Sequence, residues 1–247
     1  MEELTDHELQ IYRGKDFPLA PGITIHQPTL DEICDYGERA YWSMIYTLTS
    51  TGADLKFQLY DMGIDYTKIN DFTLFYSLLA PPLDQSKTSI ITGDLDFSNF
   101  QLMQKKGSEE IVMYDLEQDI LIDEPTYLKF AEVLRSMHGL KRNSQLPANE
   151  ATKQILIEDA REEYEQEKGK PYVSQLRNLV SAMTNSQGFK YDHAQVWNMK
   201  INAFLDSVKR ISKIRNADLL LQSGYSGFGI NLKEIPETQL NWMGDLD

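Results

Sequence analysis

Residues 97–139 read FSNFQLMQKKGSEEIVMYDLEQDILIDEPTYLKFAEVLRSMHG, and this stretch sets the fold class. Its first part holds three short apolar runs, Phe97–Met103, Ile111–Tyr114 and Ile120–Ile122, with Gly107 and polar neighbours between the first two. Runs this short, separated by turn residues, predict a small antiparallel meander. The period then changes. Pro125 suits the first turn of a helix, where no backbone N–H is needed. Leu128, Ala131, Val133, Leu134 and Met137 recur near helical spacing, and Gly139 follows as a helix stop. Strands grouped together and then followed by helix, rather than alternating with it, predict an α+β fold.

On the N-terminal side, Ser89–Thr92 reads as a further strand of the same sheet. Pro81 and Pro82 end a short helix that Asp71 caps and that carries Phe72, Phe75, Leu78 and Leu79. Thr51 and Asp54 mark a helix ending near Gly63, with Leu55, Leu59 and Met62 on its apolar side. Thr29 and Glu32 form an S/T-x-x-E capping box behind Pro28. The helix they open carries Leu30, Ile33, Tyr41, Met44, Ile45 and Leu48, with Gly37 at a cost of ~1 kcal/mol in its middle. Leu9–Arg13 and Ile23–His26 read as a hairpin, with turn chemistry from Gly14, Pro18, Pro21 and Gly22.

On the C-terminal side, Lys141–Pro147 is a polar loop and the best boundary, dividing an α+β region 1–146 from a mainly helical region 147–247. Asn149 caps a long charged helix to about Lys168, held by pairs such as Glu158–Arg161. A helix over Val173–Thr184 follows. Asp192 and Gln195 cap another, with a buried face from Val196 to Ile214, a break near Asn216, and Leu219–Leu221 beyond it. The whole is helix-rich, with a small antiparallel sheet in its N-terminal half.

Composition narrows the function. The 247 residues include 41% hydrophobic and 11% aromatic side chains, enough for a core. The net charge of −14 disfavours nucleic acid and anionic membranes as partners; it reads first as a solubility charge, with complementarity to a basic partner as the sharper alternative. No apolar run approaches the ~18 residues of a membrane span, and the acidic Met1–Glu8 lacks a signal region. The single cysteine, Cys34, excludes an internal disulfide and reads as a small buried apolar residue.

Catalytic and ligand motifs fail on their spacing. Asp94, Asp96 and Ser98 open like a calcium loop, but Asn99 and Lys105 stand where its glycine and closing glutamate belong. Gly224, Gly227 and Gly229 have the wrong order for a dinucleotide fingerprint. No G-x-x-x-x-G-K-[ST] loop or G-x-S-x-G elbow occurs. His7, His26, His138 and His193 lie far apart in sequence and read as structural or surface residues. No catalytic, metal or cofactor residue is therefore named. Lys209, Arg210, Lys213 and Arg215 form a basic stripe suited to pairing with the acidic helix around Glu158–Glu167. Trp42 and Trp197 read as core. Trp242 and Met243 read as a tail that docks on the body, or as residues that bind a partner.

Several stretches resemble proteins from the tail gene clusters of phages and prophages of Gram-positive bacteria. They are IHQPTLDEI at 25–33 with GERAYW at 37–42, ILIDE at 120–124 with LRSMHG at 134–139, and VWNM at 196–199 with GYSG at 224–227 and LNWM at 240–243. The resemblance implies a non-enzymatic tail-assembly chaperone in the host cytoplasm, binding the tape-measure or tail-tube protein. It carries no catalytic residue. This chain is longer than the simplest such chaperones, so the alternative is a structural subunit of the particle, in tail, baseplate or connector. An enzyme with a site assembled from distant residues is the third class.

Overall fold

The computed structural model describes residues 9–105, 107–226 and 231–246. Its order follows from local signals. Residues 9–12 are helical, not a strand, and of them only Ile11 is buried. The first hairpin instead pairs β1 (Phe17–Ala20) with β2 (Ile23–Ile25). Gly22 turns it with φ +77°, and a Cβ there would stand 2.9 Å from Ile120, so the turn nests on the later sheet. The Thr29–Glu32 box forms in both directions and starts α1 (Leu30–Tyr36). Gly37, at φ 98°, separates α1 from α2 (Glu38–Thr49), so the long helix expected from the sequence is two helices meeting at a left-handed residue. Cys34 lies on the outer side of α1 and is exposed, which corrects the expectation of burial.

α3 (Lys56–Asp61) buries Leu59 but leaves Met62 61% exposed just past its end. Asn70, one residue earlier than expected, caps α4 (Asp71–Leu74), which widens into a π-helical turn at Phe75–Leu79 before the two prolines. Ser89–Thr92 is not a strand but the last turn of α5 (Gln85–Thr92). Its β-branched residues fit because Thr88, Ile91 and Thr92 bury one helical face, and the Thr92 hydroxyl donates to the Thr88 carbonyl. Phe97–Asn99 is a single 3-10 turn. The sheet proper is β3 (Gln101–Gln104), β4 (Ile111–Asp115) and β5 (Ile120–Ile122), antiparallel in that order, with Leu102, Met113 and Ile122 in register.

The central element is α6 (Glu124–His138), capped by Asp123 and stopped by left-handed Gly139. Its Tyr127 stacks on Phe75 at 4.3 Å, and Phe75 meets Phe97 edge-on at 5.4 Å. Deeper along α6, the Tyr41 hydroxyl donates to His138 Nε2 (2.5 Å) while His138 Nδ1 donates to the Leu134 carbonyl (2.6 Å). The carbonyl can only accept, which fixes the neutral Nδ1–H tautomer. Burial pushes the His138 pKa down to about 4.

The loop 141–147 lacks helix and strand, yet it is fastened. Arg142 makes a bidentate pair with buried Asp71 (2.8 and 3.0 Å), and Asn143 bonds both Thr51 and Asp54. Beyond it run α7 (Glu150–Glu167), α8 (Gln175–Thr184), α9 (Ile201–Tyr225) and α10 (Glu237–Leu240). α9 has no break at Asn216. One core cluster joins Tyr41, Leu48, Phe75 and Leu134 to Leu176, Val180, Val196, Ile201 and Phe204, from both sides of residue 146. A smaller cluster of Leu59, Tyr66, Leu74 and Ile157 seats α7 on α3 and α4.

Candidate functional site

Two surfaces of opposite charge stand out. The first is a cleft of about 640 Å³ between residues 12–14 and residues 190–203. Both of its walls are held by bonds that span the chain. On one side, buried Gln27 donates from Nε2 to the carbonyls of Ile11 and Lys15 (both 2.9 Å), and Asn202 donates to Ile11 (3.1 Å). On the other, Asp192 and Gln195 form the expected capping box, but it closes only a turn at 193–195, which leads into a 3-10 turn, Val196–Asn198. The long helix starts only at Ile201, because Lys200 bridges back to Thr29 and Ile201 N–H bonds to the Pro28 carbonyl (2.9 Å).

The cleft is cationic in an acidic protein. Arg13 and Lys190 are exposed and make no ion pair among the described residues. Lys200 has its stem against Gly14, whose φ of +70° brings the turn within 3.1 Å of the Lys200 Cγ at the position a Cβ would take. Its only carboxylate neighbour among the described residues is Glu32, at 3.9 Å. Acids on the same segments are occupied. Asp16 accepts from His26 and the Gln27 N–H. Asp192 accepts from the N–H groups of Ala194 and Gln195. Burial works to raise the Glu32 carboxyl, but hydrogen bonds from Thr29, with His26 and Lys200 nearby, hold it below its ordinary value. Tyr12 and Tyr191 stay 58% and 46% exposed beside these cations. The N-terminus of α9 also opens here: no side chain caps it, and Ala203 of its first turn lines the cleft.

The second surface is α7. It carries seven carboxylates against Lys153 and Arg161, a net charge of −5 in 18 residues, and buries only Ile157. Both cations face inward. Arg161 forks onto Asp61 (2.9 and 2.6 Å) and lies over the Phe57 ring, while Lys153 reaches Asp65 at 2.9 Å. Asp159, Glu162 and Glu163 therefore face solvent with no ion pair among the described residues, beside Ile155, 60% exposed.

The residues singled out from sequence fall elsewhere. The basic stripe does not pair with α7 among the described residues. Arg210 donates to the carbonyls of Trp242 and Gly244, and Lys213 to that of Asp245, so the stripe holds down the tail. Trp242 and Met243 remain 43% and 73% exposed there. Asp96 accepts from Ser98 N–H and hydroxyl, a turn cap rather than a ligand, and no group of three metal-ligating side chains occurs among the described residues. Gly227 and Gly229 lie outside the described residues, as does His7. Gly224 lets Leu232 approach α9 more closely than a Cβ would allow. No described helix is long and apolar enough to cross a membrane. The cleft went unread because its walls lie some 180 residues apart; the faint signal was a cation beside a tyrosine in both, Tyr12-Arg13 and Lys190-Tyr191. Comparison with family models, curated proteins and solved structures finds no match to this chain.

Proposed function

We propose that this protein is a non-enzymatic phage tail-assembly chaperone that works in the host cytoplasm and binds the tape-measure or tail-tube protein through α7. The supporting observation is the acidic face of Asp159, Glu162 and Glu163, without an ion pair among the described residues, beside exposed Ile155. A folding partner with basic and apolar residues on one side would gain both ion pairing and burial there, while the free chaperone stays soluble through its charge. The exposed Leu102, Leu116 and Leu121 of the meander supply further apolar contact area.

The test is affinity capture from infected cells, paired with mass spectrometry of purified particles. The expected result is tape-measure or tube protein on the wild-type bait, loss of that capture with Glu162→Lys and Glu163→Lys together, and no copy in particles. Presence in particles at fixed stoichiometry would overturn the reading in favour of a structural subunit. Capture unaffected by the charge reversal would remove α7 from it.

A further inference from the structure

The cleft opposite in charge to α7 has no part in that proposal, and its chemistry points to a different ligand. A net charge of −14 repels anions at long range, yet here Arg13, Lys190 and Lys200 converge within one concavity. Arg13 and Lys190 have no ion pair among the described residues and Lys200 meets only Glu32, at 3.9 Å, so three cations line one concavity of an acidic protein. The start of α9 adds to them, since no side chain caps this 25-residue helix and its positive dipole end lies here, although the Ile201 N–H is taken by the Pro28 carbonyl. Guanidinium, ammonium and backbone N–H donors together match the several oxygens of a phosphate.

The rest of the cleft is suited to a ring. Tyr12 and Tyr191 offer exposed aromatic faces beside the cations. Gln195 spends its Oε1 on the Asp192 N–H, leaving its amide NH₂ free to donate. Asn198 keeps both amide groups unbonded among the described residues. A planar heterocycle could stack on a tyrosine and take these amides at its edge. A volume of about 640 Å³ falls within the usual range for a small-molecule site. The wall at residues 11–15 and the start of α9 are also preformed: Gln27, Asn202 and the Thr29–Lys200 bridge fix them without a ligand, which lowers the ordering cost of binding.

We propose that this cleft binds a small phosphate-bearing ligand with a planar ring, of the nucleoside phosphate class, with Arg13, Lys190, Lys200 and the α9 N-terminus on the phosphates and Tyr12 or Tyr191 on the ring. The whole chain is titrated calorimetrically with ATP, GTP, inorganic pyrophosphate and adenosine, and circular dichroism checks that each variant is folded. The expected result is a nucleotide Kd below about 1 mM, weakened at least about tenfold by Arg13→Glu with Lys190→Glu. Tyr12→Ala with Tyr191→Ala weakens nucleotides but leaves pyrophosphate unchanged. Failure of every nucleotide to bind at about 5 mM overturns the proposal. So does binding indifferent to the charge reversal in a folded variant, or adenosine binding as tightly as ATP. Pyrophosphate binding as tightly as nucleotides, with no effect of the tyrosine variants, overturns the ring-bearing ligand.

Discussion

Helix α7 and the cleft present opposite charges by different means. On α7 the cations Lys153 and Arg161 turn inward to Asp65 and Asp61, and the acids that remain face solvent. At the cleft, Asp16 and Asp192 are occupied by nearby donors, and Arg13 and Lys190 remain. On α7 ion pairing inward thus decides the sign of the outer face, whereas at the cleft hydrogen bonds engage the acids and the cations line the concavity. The two regions differ in what holds them. The cleft rests on the main core through Val196, Ile201 and Phe204, all fully buried. α7 rests on a cluster of four buried residues, one of them its own Ile157. The cleft should therefore open only when the whole molecule unfolds, and α7 should come away sooner.

That contrast can be broken by removing one buried side chain from each region. Phe204→Ala, in the first turns of α9, is expected to cost about 4 kcal/mol in urea unfolding, with the cleft and α6 lost in one transition. A separate early transition confined to the cleft would break the comparison. The next effect is on pH. His138 sits beneath α2 in the main core, and its pKa is pushed down to about 4 against 6.5 when unfolded. The unfolded chain takes the proton first, so this stabilisation is whole above pH 6.5 and is lost as pH falls toward 4. The loss is about 3 kcal/mol, and it should vanish from the stability–pH profile of a folded His138→Gln variant.

Ile157→Ala is expected to cost about 2–3 kcal/mol, but locally. Hydrogen exchange should show α7 amides losing protection while those of α6 keep theirs; equal loss in both would mean that α7 belongs to the main cooperative unit. The smallest effect is Asn202→Ala, about 1 kcal/mol, because Gln27 still holds the Ile11 carbonyl. Its readout is faster amide exchange at residues 11–15.

Much of the fold was legible where a boundary is written in adjacent residues. Thr29 with Glu32 and the Asn149 cap each act within one turn, Pro125 and Gly139 mark the two ends of α6, and each stands where the sequence puts it. Errors came where packing overrides local preference. Ser89–Thr92 has the β-branched content of a strand, but its burial pattern is helical. Leu9, Ile11 and Arg13 alternate like a strand, yet Ile11 alone is buried in a helical turn. Asp192 with Gln195 is a true cap, displaced from the helix by the bridge of Lys200 to Thr29. The tail role of Arg210 and both walls of the cleft depend on partners far along the chain, and no local spacing encodes them.

The bonds from Ile201 N–H to the Pro28 carbonyl, from Leu30 N–H to the Met199 carbonyl, and from the N–H groups of Gln175 and Leu176 to the Glu38 carboxylate also bear on how the molecule is made. Translation at ordinary rates leaves about 10–30 s between the emergence of Thr29 and that of Lys200. For that interval α1 and α2 await the segment that covers them. The nascent protein passes through its most vulnerable moment while still on the ribosome, and a synthesis stall after residue 150 would prolong it.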